Sequence, residues 1–164
     1  FMMCIENVAD KETKELLHED AEVGTRIANH CEKRGLIVRP LAHMNVLSPP
    51  LVMTRKDVDK MVNILRESIT ETMSFEKDIT PILTNSCAIS GCHVAGSKAP
   101  DLSSANAYKS LTEGSYIKAN DPDNSVLMMW LTGKKSPVMP IGKGPDEKIN
   151  AKIYAWIKQG AKNN

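Results

Sequence analysis

The run Cys87-Ala88-Ile89-Ser90-Gly91-Cys92-His93 separates two thiols by four residues and sets an imidazole directly after the second. Three chemistries can use such a trio. The thiols can close a disulfide, the three donors can join a metal site, or the thiols can bond the two vinyl groups of a porphyrin while the imidazole takes its iron from one face. A structural zinc site needs four ligands. After Ser74 the only cysteine and histidine donors are Cys87, Cys92 and His93. Porphyrin attachment usually places two residues between the cysteines, so the extra pair here, with Gly91, has to bulge outward. Downstream, Ser136-Pro137-Val138-Met139-Pro140-Ile141-Gly142 holds a thioether between two prolines in a loop. On this reading Cys87 and Cys92 carry haem c through thioethers, and His93 and Met139 are the axial ligands of its iron. A His/Met pair raises the reduction potential. With both axial positions filled, one-electron transfer is expected rather than catalysis.

The elements that must position these residues are short. Phe75, Ile79, Ile82 and Leu83 form an apolar helix face leading into Cys87, with Pro81 either opening that helix after Thr80 or kinking it. A loop rich in Gly, Ser, Ala and Pro follows over 91–104. Small helices are predicted around 105–111 and 125–131, then an irregular loop over 133–144. A last helix carries Ile149, Ile153, Trp156 and Ile157 on one stripe and stops at Gly160. No strand is predicted after Ser74. Met128 and Met129 sit on an apolar helical stretch and read as core. Lys134, Lys135 and Lys143 flank the methionine loop; they either steer an acidic redox partner or are simply solvated.

Helix, Cys-His site, methionine loop and aromatic closing helix, in that order over about 90 residues, resemble a single-haem c-type cytochrome domain. That resemblance implies an all-α, cytochrome c-like fold for 74–164, with first and last helices packed crosswise, and attachment of haem after export. Six aromatic residues in this half give a small core, so the domain is expected to need its haem to fold.

Residues 1–73 read differently. A short strand over Met3–Val8 precedes a helix from Lys11 to Arg34 with Leu17, Ala21, Ile27 and Cys31 on one face and Gly35 as its stop. A strand at Leu36-Ile37-Val38, ended by Pro40, and another at Asn45–Leu47 come next. Thr54 then caps a helix, Asp57 completes a variant capping box, and Val58, Met61, Val62, Leu65, Ile69 and Met73 recur along it. This is an α/β pattern. Cys4, Cys31, His18, His30 and His43 show no ligand spacing and are expected to fill or skirt a core.

The stretches Gly35–Leu41 and Val46–Leu51, then Thr54 with the helix to Ile69, together with Met3–Val8 and the turn Asp10-Lys11, resemble the C-terminal end of the class III, pyridoxal-phosphate-dependent aminotransferases. The resemblance implies an α/β small-domain fragment and a substrate-carboxylate contact, by a bidentate pair, for Arg39. It also implies that the Schiff-base lysine and the cofactor-binding groups belong to a large domain outside these residues. Arg39 is then vestigial, and no pyridoxal phosphate is expected in this chain.

Composition agrees with two segments. All five arginines lie within the first 66 positions, and seven of nine glycines at or after Gly91. Net charge is −2 over 1–74 and +3 over 75–164, +1 in total. No basic stripe interleaved with aromatics marks a nucleic-acid partner, and no apolar run reaches the roughly 20 residues of a membrane helix. The expectation is two segments, 1–73 and 74–164, with an unidentified redox protein as partner. An electron carrier is favoured over an enzyme, and an inactive transaminase fragment is the alternative. The haem segment implies a periplasmic setting and the other a cytoplasmic one. No signal segment opens the sequence, which reads as a fragment or a fusion.

Overall fold

The computed structural model describes residues 2–9 and 12–164. The chain forms two compact units, 1–72 and 73–164.

In the first unit, strands β1 (Met3–Glu6), β2 (Arg39–Leu41) and β3 (Met44–Leu47) form an antiparallel sheet in the order β1-β3-β2. Helix α1 (Val23–Glu32) packs on β2 and β3, and α2 (Arg55–Thr70) packs on α1. The register places Cys4, Val46 and Arg39 abreast, and likewise Glu6, Met44 and Leu41. Because side chains alternate along a strand, these six share one face. Asn45 and Leu47, on the other face, are buried. Asn45 donates to the Gly24 carbonyl of α1 (2.8 Å) and accepts from the Asn7 amide (2.8 Å), which fixes helix to sheet. Gly24 is required there, since a Cβ would collide with the backbone carbonyls of Ala42 and Met44.

Two expectations for this unit are corrected. The helix begins at Val23, not Lys11: Glu22 takes φ +51 and Lys14 φ +60, conformations an α-helix cannot continue through. A single 3-10 turn, Glu19–Ala21, precedes it. The middle strand is Arg39–Leu41 rather than 36–38. Pro40 pairs opposite Asn45 on an edge strand, where a missing N–H costs no ladder bond. The turn Asp10-Lys11 lies outside the described residues. Thr54 caps α2 as expected: its hydroxyl accepts from Asp57 N–H (3.3 Å) while the Asp57 carboxylate accepts from Thr54 N–H (2.9 Å). Of the expected α2 stripe, Met61 and Leu65 are buried, whereas Val58, Val62 and Ile69 are exposed. Arg34, just past the end of α1, reaches Glu71 (2.6 Å) and Glu67 (3.4 Å) at the end of α2, and Glu71 first among them holds its guanidinium above its usual value.

In the second unit all described regular elements are helical. A π-helical turn, Phe75–Ile79, runs into α3 (Thr80–Ser86), with Pro81 in the opening turn of α3, where its missing N–H is no loss. Then come α4 (Ala107–Glu113), α5 (Val126–Leu131) and α6 (Glu147–Lys158). Phe75, Tyr108 and Trp156 form an aromatic cluster with centroids 5.1 to 6.5 Å apart, at the spacing of tilted and edge contacts. Trp156 donates to the Lys162 carbonyl (3.0 Å) and Tyr108 to that of Ala161 (3.1 Å), so both polar tips are satisfied. Asn164 closes the unit, its Oδ1 accepting from Phe75 N–H (3.1 Å). Among the described residues no helix is long and apolar enough to cross a membrane.

Candidate functional site

The Cys-His loop begins where α3 ends. Cys87 and Ala88 N–H both donate to the Leu83 carbonyl, at 2.9 and 2.8 Å, turning the chain off the helix. Cys92 N–H donates to Ile89 (2.9 Å) and His93 N–H to Cys87 (3.2 Å), which folds the four-residue spacer back on itself. Gly91 takes φ +80 at the tip, a value only glycine adopts freely. His93 Nδ1 lies 3.1 Å from the Pro100 carbonyl. A carbonyl can only accept, so Nδ1 is the donor in this contact.

The methionine loop is held by Met139 N–H donating to Trp130 (3.1 Å) and Lys135 N–H to Met129 (3.0 Å). Lys135 also lies over the Trp130 ring, 5.0 Å from its centroid. The two loops meet. Cys87, Cys92, His93 and Met139 line one apolar cavity of about 240 Å³, with Leu127, Trp130, Leu131, Ile89 and Ile141 among its other walls. Burial, and secondarily the neighbouring Cys92, pushes the Cys87 thiol up to about 11. All four cysteines are free thiols, so no Cys87–Cys92 disulfide is formed. Among the described residues these two thiols and His93 do not converge closely enough to grip a single ion. Trp130 and Pro100 were not singled out from sequence; an aromatic on α5 and a proline seven residues beyond His93 were their only signals.

Arg39 stands elsewhere, on the sheet face shared with Cys4, Leu41, Met44 and Val46. It is exposed. Met128 and Cys31 are buried as core, whereas Cys4 is exposed rather than packed. Lys134, Lys135 and Lys143 are all exposed.

No protein-family model matches the chain. It is 38% identical over 68 residues to the adenosylmethionine-8-amino-7-oxononanoate aminotransferase of Nitratidesulfovibrio vulgaris, covering 42% of this chain and 12% of that one. The Methanocaldococcus jannaschii enzyme of the same name is 38% identical over 71 residues, covering 43% and 15%. Part of this chain is therefore similar to aminotransferase sequence. The probable gamma-aminobutyrate transaminase 4 of Oryza sativa subsp. japonica shares 34% over 71 residues, covering 43% and 15%. A crystal structure of an omega-transferase from Vibrio fluvialis JS17 is 38% identical, with a TM-score of 0.42, over 44% of this chain and 17% of that one. The chain thus spans about 12–15% of the length of these curated relatives.

This likeness corrects the main expectation from sequence. The relatives support the aminotransferase segment, and none supports a c-type cytochrome, so haem c as cofactor and electron transfer as function are withdrawn. The physical reason is that a seven-residue loop and one methionine specify where donors stand, not which group they receive. A likeness sustained over 68 residues constrains far more. An all-helical second unit is likewise no evidence of a particular helical fold.

Proposed function

We propose that the first unit is the C-terminal small-domain segment of a class III, pyridoxal-phosphate-dependent aminotransferase, and that it performs no transamination without the rest of that enzyme. The observation that carries this reading is the 38% identity over 68 residues, a length close to that of the 72-residue unit. The α/β arrangement of three strands and two helices is consistent with it. Pyridoxal phosphate, when bound to such an enzyme, supplies the electron sink for amino-group transfer. The part played here is to carry Arg39 on an open sheet face, where its planar fork can pair with a substrate carboxylate.

The test is a chimera in which this chain replaces the matching C-terminal segment of the Nitratidesulfovibrio vulgaris relative. Retained amino transfer, lowered by Arg39→Lys mainly through a raised KM, is the expected result. A chimera that folds but neither holds pyridoxal phosphate nor transfers an amino group overturns the reading.

For the second unit, the cavity that gathers Cys87, Cys92, His93 and Met139 favours these four as its site residues. The intact mass of the full chain, with thiol counting at Cys87 and Cys92, tests whether any group is bound through them. Two free thiols are expected. An adduct borne by both cysteines would restore a cofactor to this unit.

A further inference from the structure

The cavity of the second unit has a charge pattern that its four donor residues do not account for. Leu102, Leu127 and Leu131 are buried walls, whereas Ile89 and Ile141 are 47% and 65% exposed. Among the described residues these two isoleucines are the only large apolar side chains that the second unit exposes. One stands in the Cys-His spacer and the other just past Met139, so the exposed apolar surface of this unit gathers where the cavity opens. Lys98 and Lys143 also line the cavity, and both are exposed. Backbone bonds set them on the same two loops: Lys98 N–H donates to the Cys92 carbonyl (3.2 Å) and Lys143 N–H to that of Pro140 (3.2 Å). A lysine lays its methylene stem along apolar surface and keeps its ammonium in water, which puts both cations at the mouth. No carboxylate is among the lining residues. The wall adds no thiolate at Cys87 either, since burial keeps that thiol neutral at neutral pH.

We propose that this cavity binds an amphiphilic carboxylate, its apolar body packed among Leu127, Trp130 and Leu131 and its head at the mouth between Lys98 and Lys143. This rests on the reading of the cavity as the site of the second unit. The size of the body follows from volume. An apolar cavity of about 150 Å³ takes up benzene, with six carbons. By that measure the space of about 240 Å³ here holds a body of roughly ten carbons. Apolar walls favour removing such a body from water, and a few placed polar groups then fix the orientation of the ligand. Two ammonium groups with no acid beside them select an anionic head; a cationic amphiphile would meet two like charges.

The experiment titrates the full chain, its thiols confirmed free by intact mass, with decanoate below its micelle concentration. Calorimetry at low ionic strength follows binding, and thiol labelling reports its place. One-to-one binding is expected, with labelling of Cys92 slowed and that of Cys4, in the other unit, unchanged. Propionate, which has the head without the chain, should not bind, and decyltrimethylammonium should bind at least tenfold more weakly than decanoate. Lys98→Gln combined with Lys143→Gln should weaken decanoate about fivefold, as for two screened surface charges, and leave 1-decanol unaffected. If 1-decanol binds as tightly as decanoate to the unaltered chain, the cavity is a site but the ligand class is wrong, and the proposal falls alone. It also falls alone if intact mass finds a group on both cysteines, because the cavity is then already occupied. Decanoate that binds without slowing Cys92 labelling sits elsewhere and overturns the proposal. If none of these amphiphiles binds while both thiols are free, the reading of the cavity as a site fails, and the proposal with it.

Discussion

The two units solve the problem of burying apolar surface differently. The second wraps Phe75, Tyr108 and Trp156 in its helices and exposes two large apolar residues, Ile89 and Ile141, both at its cavity. Among its described residues the first exposes ten, and one face of its three-stranded sheet carries exposed and half-buried residues. Hydrophobic burial scales with the area removed from water, so the first unit gains less from folding alone. The likeness to known enzymes is of the length of this more exposed unit. Sequence similarity and incomplete burial thus fall on the same unit.

That contrast can be broken most forcefully at Trp156, 1% exposed. Trp156→Ala should cost the second unit about 3–5 kcal/mol, and near-ultraviolet circular dichroism should show its aromatic signal collapse. Survival of that signal would mean the cluster does not organise this core. Next comes Gly24→Ala, which drives a methyl group into the backbone of Ala42 and Met44. Overpacking of this kind costs about 1–3 kcal/mol; urea titration should report it as a loss in the first unit. Thr54→Ala removes the α2 cap, at about 1 kcal/mol. The same cap makes the first unit pH-sensitive. Thr54 holds the Asp57 carboxylate below its ordinary value, so its contribution is present above the ordinary carboxylate range and disappears as the pH falls through the lowered value. The Thr54→Ala variant should therefore show a flatter acid limb than the parent.

Thiol labelling gives the smallest perturbation and sharpens the contrast residue by residue. Exposed Cys4 should react first at pH 8. Cys87, its thiol pushed up to about 11, should lag and accelerate as the pH is raised. Cys31, fully buried, should react only on unfolding. Fast labelling of Cys87 at neutral pH would contradict the cavity geometry.

Much of this was legible in the residues. Local rules placed the Thr54–Asp57 cap and the stripe of α6, because each depends on neighbours within a turn or two; for Pro81 they offered the opening turn or a kink, and the structure takes the opening turn. The helix expected from Lys11 failed because periodicity does not register a backbone that crosses to positive φ at Lys14 and Glu22. The strand expected at 36–38 failed because β-branched composition was weighed above edge position, which admits Pro40. Spacing found Cys87, Cys92, His93 and Met139, and the fold gathers them at one cavity. The group assigned to them went beyond what donor identity specifies. Trp130 and Pro100 were invisible because their roles arise only when separate loops meet.

The most direct measurement is amide hydrogen exchange on this chain, alone and joined to the body of the Nitratidesulfovibrio vulgaris aminotransferase. Amides of Met44–Leu47 and Arg55–Thr70 should gain at least tenfold protection on joining, while those of α6 stay as they were. Equal protection of the first unit in both forms would show that it is complete in itself, and the account would be wrong.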